Sequence, residues 1–524
     1  MKLSTLIFIV YCLIGTQNDL LAQAGTLDST FGLNGIAALP IGTGSSLVIQ
    51  EDAKIVLGGN NGGIFLLGRF HPNGIIDSTF GDNGITEIVT GLGLSQMESI
   101  TITSEGKIIM GGTSLNNSGQ WSMALVRFNS DGTLDDSFGT NGEVLTTSIE
   151  DGSVNSGRAV AVQADGKALQ FGRGYLNSGD QGFVTIRING DGTLDNSFGN
   201  GGGIIEPIGN PFPSALSGLV QPDGKILIGG YSYSVPAPAC FALMRLSVNG
   251  ALDNSFSDDG KVTTHFGAGG SSGGSFEATA AHAIALQQDG KILMTGIAAL
   301  GANPDVYVPI VRYNTDGSYD QSFGSGGKLL TTIPGFEEAT AYGITVQNDG
   351  KIITAGECSN GSFHDATIFF TRHWPDGKLD STFGEGGILI MKPDSQTDCS
   401  VRDVIMQEDQ KILAAGSFGT GAKVLRLLSG LEVGIAEVEM ESGSISIFPN
   451  PTSTTIQLRL PSTPTTITLF NLLGEKVREE KVSGSRVTMD VSELPAGLYI
   501  VRAEEKLIGK PTCVNTTVGK FVKE

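Results

Sequence analysis

Few residues in this chain have types and spacings that could support chemistry. None of its five histidines form the i, i+4 pair that holds zinc on a helix, and there is no Gly-Lys-Ser/Thr phosphate loop. The acidic pairs Asp135-Asp136, Asp258-Asp259 and Glu337-Glu338 have the side chains needed for acid–base work on glycans. With 54 carboxylates in the chain, we interpret them as solvated surface groups. The sequence therefore predicts no catalytic, cofactor or metal site.

One segment imitates a calcium loop. Asn129, Asp131 and Asp135 stand at positions 3, 5 and 9 of a stretch that begins at Arg127. Each of its counterparts along the chain also begins with arginine, a fixed cation at the place of the first carboxylate ligand. We therefore expect each arginine to bond to the aspartate eight residues later instead. Arg426 has no such aspartate after it, and we predict that it meets Asp28 and closes a ring.

These arginines belong to a unit that recurs seven times with three landmarks in fixed order. The landmarks are a Leu-Asp-x-x-Phe-Gly hexapeptide, a turn followed by lysine, and an arginine inside an apolar strand. Their positions are Asp28, Asp77, Asp135, Asp195, Asp253, Asp320 and Asp380; Lys54, Lys107, Lys167, Lys225, Lys291, Lys351 and Lys411; and Arg69, Arg127, Arg187, Arg245, Arg312, Arg372 and Arg426. Repeats of about 60 residues indicate a solenoid, propeller or array.

Each unit has β periodicity. In residues 320–377, four strands are predicted at 328–333, 341–347, 351–356 and 367–373, with an Asp-Gly hairpin turn between the second and third. Four strands per unit predict an all-β fold, a seven-bladed β-propeller, because one four-stranded sheet forms one blade. A β-solenoid remains the alternative, although its coils are normally shorter.

The spacings also separate two faces of the propeller. Arginine to aspartate is always eight residues, whereas the aspartate-to-lysine and lysine-to-arginine segments vary in length. In an up-and-down blade the variable loops share a face, which we expect to be the binding face. The longest of them, 267–275, is almost all Gly and Ser and is predicted to be flexible. The scattered cysteines are no disulfide framework, but Cys358 and Cys399 fall in variable loops of adjacent blades, where a bridge is geometrically possible.

The hexapeptide has its own structural expectations. Its seven phenylalanines should fill the gaps between neighbouring blades, since units of this kind bury their faces against each other. The residue that follows is glycine except at Ser257, and we expect a backbone conformation there that disfavours side chains. Ala53 and Gln410 replace the turn glycine in the first and last copies, which should weaken those turns.

Composition limits the partners. The 524 residues carry a net charge of −21, of which residues 25–434 hold −20 through 42 acidic and 22 basic side chains. Such a domain repels nucleic acid and anionic membrane surfaces and favours neutral or cationic partners. The 75 glycines have their source in the repeated turns and hexapeptides.

The N-terminus has the layout of a secretory signal peptide over residues 1–24. Lys2 precedes an apolar run of about ten residues, Leu6 to Gly15, and small residues at A-x-A spacing follow at Ala22 and Ala24. The run is shorter than the ~20 residues that a spanning helix needs. We predict export and no transmembrane segment.

The repeats and the C-terminal segment each resemble a known family. The repeats over residues 25–430 resemble the delta-60 repeat family, which implies an exported bacterial protein without an established activity. From residue 444 on, Ile447-Phe448-Pro449-Asn450-Pro451, the strand-like Thr466 to Val477 and Leu494 to Val501 suggest a small Ig-like β-sandwich. In order and spacing they resemble the C-terminal sorting domain of the type IX secretion system of the Bacteroidota. That resemblance implies delivery across the outer membrane by this machinery, with release or surface attachment.

The ending departs from that pattern, because residues 510–513 interrupt the last strands and 518–524 are expected to form a short tail. An ordinary Ig-like binding domain is the alternative for 444–524. The domains predicted are thus a signal peptide, a propeller at 25–430, an acidic linker at 431–443 and the C-terminal domain. The function expected is non-catalytic binding or adhesion, secreted or at the cell surface, of an unknown glycan or protein ligand. A secreted carbohydrate-active enzyme and a purely structural surface component remain alternatives.

Overall fold

All regular secondary structure in the described residues is β-strand. The computed structural model describes residues 24–209, 211–233, 239–266, 279–300, 305–361, 366–393 and 398–430, and towards the C-terminus 446–448, 452–459, 466–471, 476–482, 484, 486–506 and 514–523. The predicted signal peptide before Ala24, the Gly/Ser-rich loop at 267–275 and the acidic linker lie outside them. The chain divides into two compact units between residues 432 and 433.

The described part of the first unit forms seven antiparallel sheets, numbered here one to seven along the chain. The first three are built from β2 (Thr43–Ile49), β3 (Ile55–Asn61), β4 (Ile64–Phe70) and β5 (Ile85–Ile88); β6 (Ser95–Ile102), β7 (Ile108–Leu115), β8 (Trp121–Phe128) and β9 (Glu143–Thr146); and β10 (Ser148–Ile149), β11 (Gly152–Val162), β12 (Ala168–Leu176), β13 (Gln181–Ile188) and β14 (Gly203–Glu206). Sheets four and five are built from β15 (Phe212–Val220), β16 (Ile226–Tyr233), β17 (Cys240–Leu246) and β18 (Lys261–Thr264), and from β19 (Thr279–Leu286), β20 (Ile292–Leu300), β21 (Asp305–Tyr313) and β22 (Lys328–Thr331). The last two are built from β23 (Glu338–Val346), β24 (Ile352–Ser359), β25 (Thr367–His373) and β26 (Ile388–Met391), and from β27 (Cys399–Met406), β28 (Ile412–Phe418), β29 (Ala422–Leu427) and β1 (Ile36–Ala38).

The sequence unit and the structural sheet are offset by one strand. The strand predicted at 328–333 is β22, the last strand of sheet five, whereas 341–347, 351–356 and 367–373 fall in sheet six. The boundary of the sequence unit differs from the boundary of the sheet, because the hexapeptide, which is the most visible landmark, lies in the loop before a sheet's last strand. The predicted separation of constant and variable loops to opposite ends of the sheets agrees with the strand order. Because the strands alternate in direction, the lysine turns and the arginine–aspartate loops emerge at one end of the sheets, here the turn end. The loops of varying length emerge at the other, here the variable end.

Sheet seven closes the series with a strand from the N-terminus. β1 pairs with β29, and Ile36 lies opposite Leu425. Phe31 and Leu57 share a buried cluster with Leu413 of sheet seven, so the first and last sheets pack directly against each other. The predicted ring closure by Arg426 and Asp28 is confirmed, with Arg426 Nε 2.8 Å from Asp28 Oδ2.

The second unit contains two antiparallel sheets around one core. The strands of the first are β30 (Ser446–Phe448), β31 (Thr455–Arg459) and β34 (Arg486–Asp490), and those of the second are β32 (Thr466–Phe470), β33 (Lys476–Lys481), β35 (Gly497–Lys506) and β36 (Val514–Lys523). Ile456 and Met489 of the first sheet and Leu469 and Val501 of the second are buried in that core. The short tail predicted at 518–524 was wrong over its described residues, because these are part of β36 and pair with β35.

Candidate functional site

At the turn end, one charged cluster is repeated in every sheet. All seven predicted arginine–aspartate pairs are formed, with Nε to Oδ2 distances of 2.7 to 2.9 Å. The turn lysine approaches the same oxygen, at 2.6 to 3.8 Å. The second aspartate oxygen closes its own loop, as when Asp135 Oδ1 accepts from Ser137 N and Oγ. The oxygens considered above for calcium thus serve ion pairs and turns.

The clusters stabilise the ionised form of each aspartate. Burial of Asp135 opposes its charge, but the bonds from Lys107, Ser137 and Arg127 outweigh burial and hold its pKa well below the usual value. The pKa values are lowered also for Asp77, Asp195, Asp253 and Asp320, because hydrogen bonds and neighbouring cations outweigh burial there as well. These residues are therefore structural charges with fixed partners.

The hexapeptide phenylalanine joins each cluster to the next sheet, as predicted. Phe80 is fully buried in one cluster with Phe65 of sheet one and Met110 of sheet two, and the guanidinium carbon of Arg69 lies 4.6 Å from the centre of its ring. Arg69 Nη1 also donates to the carbonyl oxygen of Ser130, 61 residues ahead, at 2.7 Å.

The prediction about the backbone conformation after the hexapeptide phenylalanine is confirmed by positive φ angles. The residue after the phenylalanine has φ between +50° and +57° in all seven copies, including Ser257. Ala53 and Gln410, which replace the turn glycine, have φ of +63° and +66°. These side chains occupy the left-handed region at a cost that glycine avoids.

A different set of side chains comes together at the edge formed by the first strand of each sheet, here the leading strand. Each leading strand contains a β-bulge two to six positions after its first residue, which lies at the variable end, for example between Met97 and Ser99 and between Val401 and Asp403. The bulged residue lies nine positions before the turn lysine in every sheet. These residues, here the axial set, are Ser45, Glu98, Arg158, Leu216, His282, Tyr342 and Arg402.

Members of the axial set contact one another across different sheets. Arg158 Nη1 lies 2.6 Å from Glu98 Oε1. The guanidinium carbon of Arg402 lies 4.1 Å from the ring centre of Tyr342, and the His282 ring is 4.9 Å from the same ring. Glu357 of β24 adds a second carboxylate, which accepts from Tyr342 Oη at 3.0 Å and faces Arg402 at 3.7 Å. A half-buried polar site is thus assembled from five of the seven sheets.

The electrostatics of this site differ from those of the turn end. Burial raises the pKa of Glu98 against the opposing charges of Arg158 and Arg402. Burial and the same two arginines lower the pKa of His282 to about 3, so that His282 is neutral at physiological pH. Burial raises the pKa of Tyr342 to about 12, which keeps its hydroxyl protonated. The site therefore combines two fixed cations and two carboxyl groups with a neutral imidazole and a phenol.

The site continues into a cavity of about 340 Å³ between sheets six and seven. Glu357 and Arg402 belong to both, and Glu338 and Asp398 lie in the wall of the cavity at the variable end. Its remaining polar lining consists of hydroxyl groups, those of Thr340, Ser359, Ser400 and Ser417. The cavity therefore offers hydrogen-bonding groups of both polarities.

Sequence reasoning missed the axial set, although a signal was present. The seven residues nine positions before the turn lysine are of six different types, while the landmark positions are nearly constant. Among the acidic residues weighed above, Asp135 is held by Arg127 and Glu338 lies in the cavity wall, whereas Asp136, Asp258 and Asp259 are exposed. Among the described residues, no group of three or more His, Cys, Asp or Glu is placed to hold a metal ion.

The predicted placement of Cys358 and Cys399 in variable loops is corrected by the structure. Cys358 is the seventh residue of β24 and Cys399 the first of β27, so both lie in strands rather than in loops. Both residues are buried, and no disulfide links them. Burial raises the pKa of Cys358 to about 12, so the thiol is unreactive.

Repeated antiparallel sheets whose leading strands converge define a β-propeller-like repeat protein. Four segments, 103–138, 163–198, 221–256 and 287–323, match the family described as "Domain of unknown function (DUF5122) beta-propeller", and each ends at a hexapeptide phenylalanine. Residues 446–510 match the "Secretion system C-terminal sorting domain". The chain therefore contains β-propeller repeats of that family and a C-terminal sorting domain, and both resemblances in the sequence are confirmed.

Several solved structures match the chain at low similarity. Virginiamycin B lyase from Staphylococcus aureus is 13% identical, with 75% of this chain and 98% of that chain covered and a TM-score of 0.42. PorZ, a surface component of the type-IX secretion system of Porphyromonas gingivalis, is 8% identical, with 92% and 81% covered and a TM-score of 0.24. Similarities of this size carry no functional argument. No curated protein sequence matches the chain significantly. Within the described part of the chain, no helix has the length and apolar character to span a membrane.

Proposed function

We propose that this protein is an exported seven-bladed β-propeller that binds a small polar ligand at the axis of the ring, without catalysing a reaction. The domains are a signal peptide at 1–24, the propeller at 25–430, an acidic linker at 431–443 and an Ig-like sorting domain at 444–524. The type IX secretion machinery is its partner in export, and the mature protein acts outside the cell or at its surface.

One observation carries the binding proposal: equivalent positions vary at the axis and are nearly constant elsewhere. The paired arginine and aspartate occur in all seven sheets because each sheet needs the same joint. The axial set occupies equally equivalent positions, yet it contains six residue types, five of its seven members being charged, imidazole or phenol side chains. A ring built only for stability has no reason to vary there, whereas a ligand without sevenfold symmetry requires different partners around it.

The chemistry of the axial set favours a ligand of low net charge. The carboxyl groups of Glu98 and Glu357 are matched by the guanidinium groups of Arg158 and Arg402. The surrounding unit is strongly acidic, which weakens the attraction for anions. Tyr342 and His282 add an aromatic surface and further hydrogen-bonding atoms. A small polar molecule with several hydroxyl or amide groups fits this set.

Binding is tested with thermal melts of the purified protein against a panel of small saccharides, amino acids and nucleosides. A ligand should raise the melting temperature of the wild type, and Arg402→Gln or His282→Ala should abolish the shift. Glu98→Gln removes a carboxylate from the axial set. Its matched control is Glu385→Gln, which removes an exposed carboxylate at the turn end. If every shift persists in the axial variants, the axis is not the site.

Export is tested by deleting residues 444–524 and fractionating cells. Retention of the truncated protein in the periplasm supports sorting by this domain, and unchanged export contradicts it. The deletion leaves the propeller sequence intact, so ligand binding by the retained protein serves as the folding control.

A carbohydrate-active enzyme is the second candidate, because two carboxyl groups, Glu98 and Glu357, lie in the same site and the first has a raised pKa. Acid–base hydrolysis of glycosides uses such a pair. Incubating each bound oligosaccharide with the protein and measuring released reducing ends separates the two functions. Turnover that Glu98→Gln and Glu357→Gln both abolish would replace the binding proposal. A purely structural surface component would bind none of the panel.

A further inference from the structure

A second group of side chains lies at the variable ends of sheets three and four. Tyr231 and Tyr233 project from β16, and the Phe212 ring stacks on Tyr233 with centres 5.2 Å apart and an interplanar angle of 30°. Tyr231 lies 6.1 Å from Tyr233. Arg173 and Tyr175 of β12 are close enough that their charges act on the pKa of Tyr233, which burial and Tyr231 raise. We call these five residues the aromatic cluster.

The two sheets are held together beside this cluster. Tyr175 is the register partner of Gln181, and Gln181 Nε2 donates to the carbonyl oxygen of Pro213 at 2.9 Å. Pro213 follows Phe212, which is the register partner of Tyr233. The aromatic rings therefore stand on a strand framework that is fixed from both sides, as a preformed binding surface requires.

The cluster is also specific to these two sheets. Its β12 and β16 members stand six and eight residues after the turn lysine, and the equivalent residues of the other sheets are Asn60 and Gly62, Thr113 and Leu115, Ile297 and Ala299, Glu357 and Ser359, and Ser417 and Gly419. The fold does not require aromatic rings at these positions. Phe212 and Tyr175 are nonetheless 45% and 38% exposed, so their faces are available to a ligand.

We propose that the aromatic cluster is a binding site for a neutral saccharide. Exposed aromatic faces attract the polarised C–H groups of a sugar ring, and the phenol and guanidinium groups can bond to its hydroxyls. The acidity of the propeller disfavours an anionic ligand, while the charge of Arg173, which acts on Tyr233, disfavours a cationic one.

Two buried polar atoms of sheet three, one donor and one acceptor, suit a ligand that carries hydroxyl groups. Arg173 Nε and Asn155 Oδ1, on neighbouring strands, have no hydrogen-bond partner among the described residues. Asn155 is the bulged residue between Val154 and Ser156, and Ser156 is the register partner of Arg173. Both side chains are only partly buried. A hydroxyl group can accept from one and donate to the other, which a carboxylate cannot do.

The inference goes beyond the proposed function, because it assigns a second ligand to residues that are not members of the axial set, and this separates the two tests. The probes are hexasaccharides of β-1,4-glucan, xylan, mannan and chitin, with hexagalacturonate as the anionic probe, titrated calorimetrically into the purified full-length protein. We expect at least one neutral probe to bind. Phe212→Ala and Tyr175→Ala should each weaken it about tenfold, the effect of losing one aromatic contact.

Trp374→Ala is the matched control, because Trp374 is an exposed aromatic residue at the turn end, and it should change affinity less than twofold. Arg402→Gln should also leave this binding intact. The inference is overturned if no neutral probe binds, if hexagalacturonate binds most tightly, or if binding depends on Arg402 and not on Phe212. In the last case the saccharide occupies the axis and the proposed function stands. Melting curves of Tyr175→Ala, whose ring is exposed, exclude unfolding as the cause of a loss.

Discussion

The contact between Arg426 and Asp28 closes the ring. It predicts that this pair, unlike the other six arginine–aspartate pairs, controls the local opening of the N-terminal segment. Asp28 is 4% exposed, and it accepts from Arg426 Nε at 2.8 Å and Thr30 Oγ1 at 2.6 Å and faces Lys411 Nζ at 3.2 Å. Asp28→Asn places an amide where both cations approach. Removing one partner of a buried pair costs about 3–5 kcal/mol, and we expect the lower end, about 3 kcal/mol, since Arg426 keeps its bond to Pro72 O.

Asp195→Asn is the matched control. Asp195 has the same partners in kind, Arg187 and Lys167, both at 2.8 Å, so the two variants should lose similar free energy of unfolding. They differ in what the weakened pair releases. At Asp195 the chain continues covalently into the next sheet. At Asp28 the loss lets the segment that contains β1 detach from β29.

The assay is limited proteolysis under native conditions with identification of the first cleavage. When opening and closing are fast, cleavage follows the population of the open form, and 3 kcal/mol raises that population on the order of 100-fold. We expect early cleavage within residues 24–38 in Asp28→Asn at a rate increased by about this factor, and little change in Asp195→Asn. Equal cleavage of the two variants would refute the closure reasoning, and an unchanged urea midpoint in both would show that the pairs do not stabilise the fold.

Three further predictions use single side chains or pH. Ala53→Gly and Gln410→Gly should each raise the free energy of unfolding by about 0.5–1 kcal/mol, because φ is +63° and +66° there. Gly166→Ala, at φ +82° with nothing near its added Cβ, should lower it, all measured by urea unfolding. The pKa values of the turn-end aspartates are depressed in the folded state, so the stability they contribute is present above the unfolded pKa near 3.8 and is lost as pH falls below it. Melting temperatures should therefore fall steeply below about pH 4, and a flat profile between pH 5 and pH 2 would contradict this. Cys358 and Cys399 should react with a thiol reagent only after denaturation, and the intact mass should not change on reduction.

The turn end could be predicted from the sequence because its chemistry is local and repeated. Each aspartate stands eight positions after its arginine, so the spacing itself predicts the loop that brings Arg127 to Asp135. Arg426 lacked such a partner, and that single gap was enough to predict the contact with Asp28. Repetition supplied seven examples of one geometry, which a single copy would not have done.

The axial set could not be predicted in the same way because its members are distant in sequence and differ in type. Glu98 and Arg402 approach only through the ring, and each is placed by a bulge that interrupts the strand periodicity. The placement of Cys358 and Cys399 in loops was wrong for a related reason, since the strands β24 and β27 extend further towards the variable end than their sequence pattern indicates. Strand registers and bulges were the information that the sequence lacked.

The separation of stability from binding makes the proposed function testable by mutation. Arg402 is 42% exposed and lies 3.7 Å from Glu357, and an ion pair of this kind contributes about 0–1 kcal/mol. Each turn-end pair is several times more costly to break. We therefore expect Arg402→Gln to leave the melting temperature of the free protein nearly unchanged while removing the shift caused by an axial ligand. If Arg402→Gln instead destabilised the free protein as much as Asp195→Asn does, the axial residues would be part of the joint between sheets. Their diversity would then need an explanation other than a ligand.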